Sequence, residues 1–308
     1  TIKLDGNYPV GTNNVALGDA AGSALSTGIK NTFLGSLAGD AITTGNNIVA
    51  VGYQALSYDQ QGSGSVAIGN QALTTQRFTS ATGAYNVAIG QQAGQEVTTG
   101  IKNVFIGGLS GDATTTAEEN TAVGYESMTT NTTGGDNSAS GAYSLRQNTT
   151  GSNNAAMGYS ALERNSTGGN NTAVGYKALE ANTTASSNTA VGYQAGYSTT
   201  VGYNNTLFGD RAGYSNVGNR GNTFLGQESG YSYNRAGSGD TFNTFVGYRA
   251  GYAQSTEGLY NTYVGLFSGN TITTGSKNTI LGGYNGNQGG LDIRTSSNNI
   301  VLSDGDGN

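Results

Sequence analysis

The motif N-[T/V]-x-[V/I/L]-G-x-x-[A/S]-[G/L] returns along this chain so regularly that little but a stacked repeat architecture can accommodate it. Its glycine stands at Gly18, Gly35, Gly52, Gly69, Gly90, Gly107, Gly124, Gly141, Gly158, Gly175, Gly192, Gly209, Gly226, Gly247, Gly265 and Gly282. Twelve of the fifteen intervals are seventeen residues, two are twenty-one and one is eighteen, so one coil length is reused and now and then extended. A seventeenth unit, residues 299–302, has Ser303 in the glycine's place. Seventeen extended residues reach about 56 Å, enough for one flattened coil of two short strands and two turns. Stacking such coils at about 4.8 Å predicts an elongated rod of about 80 Å. The expected fold class is therefore all-β: a repeat solenoid, a parallel β-roll or β-helix of about seventeen coils. Residues 1–13 read as a lead-in or cap, 14–303 as the continuous repeat and 304–308 as a tail, within one structural domain.

Each register has its own chemistry. The residue before the glycine is Leu17, Leu34, Val51, Ile68, Ile89, Ile106 and Val123 in the first seven units. With the Val or Thr two positions earlier it forms a β-branched, apolar pair at the spacing of a strand, which predicts a five-residue strand with this pair facing the core. The intervening position, Ala16, Phe33, Ala50 and Ala67 onward to Phe224 and Phe245, then faces the other way and is also apolar, so both faces need cover. Four residues before the glycine, Asn occupies fifteen of seventeen units, Asn120, Asn171 and Asn188 among them, with Ile48 and Ser65 as the departures. Stacked Asn side chains can hydrogen-bond to one another and to turn backbone. The small residues after the glycine mark close backbone approach.

The connecting segments are rich in Thr, Gly, Asn and Ser and read as turns. Two of them, residues 74–85 and 231–242, are four residues longer at the same point of the unit, as loops on one side of a stack would be. Burying the few apolar side chains of each coil falls short of the entropy lost in ordering it, and the second apolar face lacks cover. A homo-oligomer, most simply a homotrimer, is the expectation.

Composition narrows the function. Charged residues are 10% of the chain while 27 are aromatic, counting 19 Tyr and 8 Phe, which argues for order rather than a disordered linker. A net charge of −6 leaves no basic surface for a phosphate backbone, so no nucleic-acid partner is expected. No apolar run is long enough to cross a bilayer, so no membrane insertion is expected either. The amino terminus shows no charged-then-apolar signal pattern. The chain does not begin with Met, which fits a fragment or a processed product.

Runs such as NTAVGYKALEANTTASSNTAVGYQAG (171–196) and SVAIGNQAL (65–73) resemble the repeats of bacteriophage tail-fibre proteins and are similar to the head repeats of trimeric autotransporter adhesins. The ending SSNNIVLSDGDGN resembles the stretch that precedes the self-cleaving intramolecular chaperone of phage fibres. The resemblance implies a left-handed, trimeric β-roll serving as an adhesion shaft, with other tail proteins and a bacterial surface polysaccharide or protein receptor as partners. It places the chain in a virion tail fibre or on an extracellular surface. A bacterial trimeric adhesin of the same architecture is the alternative.

With no His and no Cys, the Ser-His-Asp, Cys-His and common zinc arrangements are absent, and no metal or cofactor is expected. Five residues past the glycine, successive units carry Arg146, Glu163, Glu180, Tyr197, Tyr214, Tyr231 and Tyr252. Glu163 and Glu180 at coil spacing match the carboxylate separation of a retaining glycosidase, the basis of a tailspike-type hydrolase alternative. A surface register that tolerates polar residues explains them more simply. The four tyrosines suit a sugar-stacking platform or a ladder that zips coils together. In the long loops Arg77, Phe78, Tyr233 and Arg235 are candidate receptor contacts. Asp304, Asp306 and Asn308 alternate like the start of a calcium loop that lacks its other ligands. Asn131, Asn148, Asn165 and Asn182 match an N-glycan acceptor pattern that the repeat itself also produces. Thr-Thr pairs raise ice binding, but they fall in turns at irregular offsets.

Overall fold

The computed structural model describes residues 13–234, 239–255 and 257–304. The expected lead-in and tail, with Asp306 and Asn308, lie almost wholly outside these, as does Arg235. The chain forms two compact units, Thr1–Asn153 and Asn154–Asn308, each a parallel β-solenoid without helix among the described residues. In the first unit the ladder runs through Val15–Leu17, Thr32–Leu34, Val49–Val51, Val66–Ile68, Val87–Ile89, Val104–Ile106, Thr121–Val123 and Ser138–Ser140. In the second it runs through Ala155–Met157, Thr172–Val174, Thr189–Val191, Thr206–Phe208, Thr223–Leu225, Thr244–Val246, Thr262–Val264, Thr279–Leu281 and Ile300–Leu302. Eight and nine rungs together give the seventeen coils that the repeat predicts.

Pairing is parallel and in register, so Leu17 lies over Leu34 and Leu34 over Val51. The strands are three residues long, not five, and each regular coil has one rather than two. Three residues per coil take the left-handed conformation, as Glu126, Met128 and Asp136 do at φ +51°, +55° and +58°. Each costs about 1 kcal/mol and turns the chain sharply, so no long strand survives. The turns stack all the same: Thr132 N–H and its hydroxyl both donate to Thr149 C=O, each at 2.9 Å. The Thr-Thr pairs thus spend hydroxyls on the neighbouring coil.

The two faces of the strand are the reverse of the sequence expectation. The middle residue is inside: Phe33, Ala50, Ala67, Phe105, Phe224 and Phe245 are fully buried. The column Leu34, Ile68, Ile106 and Val123 is aligned but faces out, Leu34 being 44% exposed. The reason is the opposite wall. Where the strand offers Ala, as at Ala50, Ala122 and Ala156, the residue four past the glycine is Leu56, Met128 or Leu162, all buried. Where it offers Phe33, Phe105 or Phe245, that register is Gly39, Gly111 or Gly251. A Cβ on Gly39 would come within 2.5 Å of the Phe33 ring. At these levels the interior holds one large side chain, taken from either wall; at Ala88 with Gly94 and Ala190 with Gly196 neither wall offers one, and the neighbouring levels' Leu73 and Phe105, or Leu179 and Leu207, lie against the glycine instead.

The other columns follow their chemistry. Asn120 N–H donates to Asn103 Oδ1 at 3.0 Å, while Asn120 Nδ2 donates to Gly134 C=O at 2.9 Å in the next coil. Asn171 and Asn188 repeat the pattern in the second unit. Ser65 breaks the column where residues 74–85 enter, and the loop makes good the loss. Gln76 Nε2 donates to the buried Asp59 at 2.7 Å and to Ser65 Oγ at 3.3 Å, and Asn86 Nδ2 donates to Gln76 Oε1. Burial pushes the Asp59 carboxyl above its ordinary value. The anchor glycines sit at φ between +114° and +144°, and a Cβ on Gly124 would lie 2.5 Å from the Gly141 carbonyl oxygen. Gly18, Gly35, Gly52, Gly175 and Gly192 stack in the same way, so both conformation and space demand glycine.

Candidate binding surface

Two surfaces stand out once the interior is accounted for. The first is the outward face of the ladder, where Val or Thr and then Val, Ile, Leu or Phe project from most rungs, Ser138 and Ser140 being the polar exception. Leu34, Ile68, Ile89, Ile106 and Val123 in one unit, and Phe208, Leu225, Val264 and Leu281 in the other, are exposed. In the second unit the neighbouring column is threonine from Thr172 to Thr279, each paired in register with the next. Exposed aliphatic side chains recurring at one register in each unit are the kind of surface that a partner covers.

The second surface lies beside the glycine column in the unit 154–308. Tyr197, Tyr214, Tyr231 and Tyr252 stack in sequence, with centroids 5.1 Å apart and planes within 8°. The rings are half-buried. Their faces are consumed by one another, so this is not the sugar-stacking platform considered from sequence; only ring edges and hydroxyls are available to a partner. The hydroxyls make no hydrogen bond to the protein and are not sealed from solvent.

A parallel tyrosine column that the sequence reading passed over stands one residue after the glycine. Tyr159, Tyr176 and Tyr193 stack at 5.4 and 5.3 Å, and Tyr176 is 42% exposed. The Gly-Tyr dipeptide recurring at coil spacing was the available signal. Between the two columns runs a file of alternating charge. Arg249 Nε donates to Glu228 at 2.6 Å, and Arg211 lies 3.6 Å from the other oxygen of the same carboxylate. The bond from Glu228 holds the Arg249 guanidinium above its ordinary value. Arg249 also sits 5.2 Å from the centroids of both Tyr248 and Tyr252, and Arg211 5.6 Å from that of Tyr193. These cation–π contacts tie the file to both columns.

The remaining sequence candidates fall elsewhere. Glu180 is buried and paired with Arg164 at 3.3 Å, while Glu163 is only half-buried. Arg146, in the unit 1–153, pairs with Glu126 at 2.8 Å. Arg77 is exposed, but Phe78 is buried with its N–H donating to Asp59 at 2.9 Å. Tyr233 is fully buried, edge-on to Phe224 and Phe245, and its hydroxyl donates to Gly258 C=O at 2.8 Å. Phe78 and Tyr233 therefore face inward, out of a receptor's reach, and anchor their loops. Asn131 and Asn148 in one unit, and Asn165 and Asn182 in the other, are fully buried, with Asn148 Nδ2 donating to Asn131 Oδ1 at 2.8 Å and Asn182 Nδ2 to Asn165 Oδ1 at 3.2 Å, so no glycan fits on them in the folded chain.

In comparisons with protein-family models, curated proteins and solved structures, nothing matched this chain.

Proposed function

We propose that this chain is the structural and adhesive shaft of a homotrimeric fibre, a phage tail fibre or receptor-binding shaft that attaches to a bacterial cell-surface glycan. The observation that carries the reading is the aliphatic face of the ladder. The interior is filled without it, yet an aliphatic or aromatic side chain projects from all but the Ser138–Ser140 rung, and a face so regular is suited to an identical face on another copy. Burial of Val, Ile and Leu from three copies against one another supplies the hydrophobic free energy that a single narrow coil lacks. The tyrosine-rich surface beside the glycine column then stays outward, present three times over, so that weak contacts add through avidity.

Attachment is tested by incubating labelled protein with a panel of bacteria and washing. Retention that is lost when surface polysaccharide is oxidised with periodate supports the reading; no retention on any strain contradicts it. Nothing in the geometry favours the hydrolase alternative, since Glu180 is withdrawn from solvent and neutralised by Arg164.

A further inference from the structure

We infer that the tyrosine column Tyr197, Tyr214, Tyr231 and Tyr252 is a hydroxyl comb that binds an extended, equatorially β-1,4-linked glycan lying along the stack, one sugar ring per coil. The inference rests on the adhesive reading above and names the ligand class for its surface. It starts from the stacking geometry. Rings 5.1 Å apart and within 8° of parallel leave no face for a sugar, so aromatic–sugar stacking is excluded along this column. What the column does present is four phenol hydroxyls, unbonded to the protein, at one level per coil. Each is both a donor and an acceptor, as sugar hydroxyls are.

A polymer can use all four at once only if its own repeat matches the coil. In a pyranose chain joined through equatorial bonds at both ends of each ring, the backbone is straight and each ring advances by a distance of the same size as the 5.1 Å between tyrosines. Alternate rings of such a ribbon are turned over, but hydroxyls line both of its edges, so each tyrosine still meets a ring hydroxyl and every second one meets the same edge. An α-linked chain winds and loses the register after one or two rings. The charge file adds polarity to the site's edge: Arg211 and Arg249 share the carboxylate of Glu228, and Asp210 lies 3.9 Å from Arg211, so the file is balanced in charge and offers guanidinium donors beside the comb. Because the hydroxyls are held by the stack, little order is lost on binding, and contacts accumulate with chain length.

The test is titration calorimetry of the intact protein with chitohexaose, cellohexaose and maltohexaose, and with the β-linked di- and tetrasaccharides. Affinity is expected to rise from the di- to the tetrasaccharide and then level off, with maltohexaose bound at least about tenfold more weakly, the size of effect that a few neutral hydrogen bonds produce. The fourfold variant Tyr197→Phe, Tyr214→Phe, Tyr231→Phe and Tyr252→Phe keeps every ring in the stack and removes only the hydroxyls. It should melt as the parent does and lose binding by about tenfold or more. Binding unchanged in that variant, maltohexaose bound as well as the β-linked chains, or no binding of either β-linked hexasaccharide would each overturn the comb. If the fourfold variant is still retained on bacteria as well as the parent, the comb fails while the adhesive reading stands; if neither is retained, the adhesive reading fails.

Discussion

The two units of this chain have the same kind of interior and different surfaces. In each, the middle residue of the rung is buried, Asn bonds to Asn from coil to coil, and glycine stacks on glycine. Outside, they part. In the unit 1–153 the outward columns are Val-rich on the ladder, and five residues past the glycine they are Ser, Asp, Thr, Gln or Arg. In the unit 154–308 the ladder column turns to threonine and the register past the glycine turns to stacked tyrosine. The interior is dictated by the coil, which admits at most one large side chain per level from these two walls. The surface is free of that constraint, so a difference there points to what each stretch meets.

The sharpest way to break the shared half of the comparison is at the glycine column. Gly124→Ala and Gly192→Ala should each cost about 4 kcal/mol or more, because both force a Cβ against the next glycine's carbonyl and hold φ far to the left-handed side. Thermal unfolding of the two variants would show it; tolerance in one unit alone would mean that the columns are not equivalent. Next in size is the volume exchange across the core. Phe33→Ala should lose about 3–5 kcal/mol, as should Gly39→Leu through overpacking, while the double variant recreates the Ala50 and Leu56 arrangement and should recover most of the loss. A double-mutant cycle with no coupling would refute conserved volume.

Smaller effects probe the surfaces. Tyr214→Ser should cost about 0.5–1.5 kcal/mol by breaking two stacking contacts, whereas Thr129→Ser, at the same register of the other unit, should cost next to nothing. Urea midpoints compare them directly. At that register Asp112 has a carboxyl pushed from its ordinary 3.8 to about 6, chiefly by burial, with Glu126 and Glu96 adding repulsion. The folded chain therefore binds this proton more tightly than the unfolded chain. Its contribution to stability is fully present below the ordinary carboxylate value and declines as pH rises through about 6. Asp112→Asn should flatten that decline, read as urea midpoints at pH 4 and pH 7.

Period and columns were legible because the repeat forces equal positions to coincide, and the Asn column because its side chain can bond both along and across the stack. The inward face of the rung was not. Hydrophobicity ranks Leu34 and Ile68 above Ala50 and Ala67, but the decision belongs to Leu56 and Leu73 on the far wall, which fill the space that alanine leaves. The exchange of Gly39 for Leu56 as Phe33 gives way to Ala50 is written in the chain, and only a pairing of the two walls makes it readable. Loop residues misled for a related reason. Phe78 and Tyr233 sit in insertions, yet the added length lets them reach back into the interior, where Asp59 and Gly258 receive them. The tyrosine column past the glycine was found, but its stacking, which decides what it can bind, depends on the spacing of neighbouring coils.

The outward aliphatic face carries the most weight, since the fibre reading requires it to be covered by further copies. Light scattering of the purified chain on a sizing column measures this directly. A mass of three times 31.2 kDa, falling to that of one chain when Leu34, Ile68 and Ile106 are changed to Asp, is the predicted result. A mass of 31.2 kDa for the unaltered chain would contradict it.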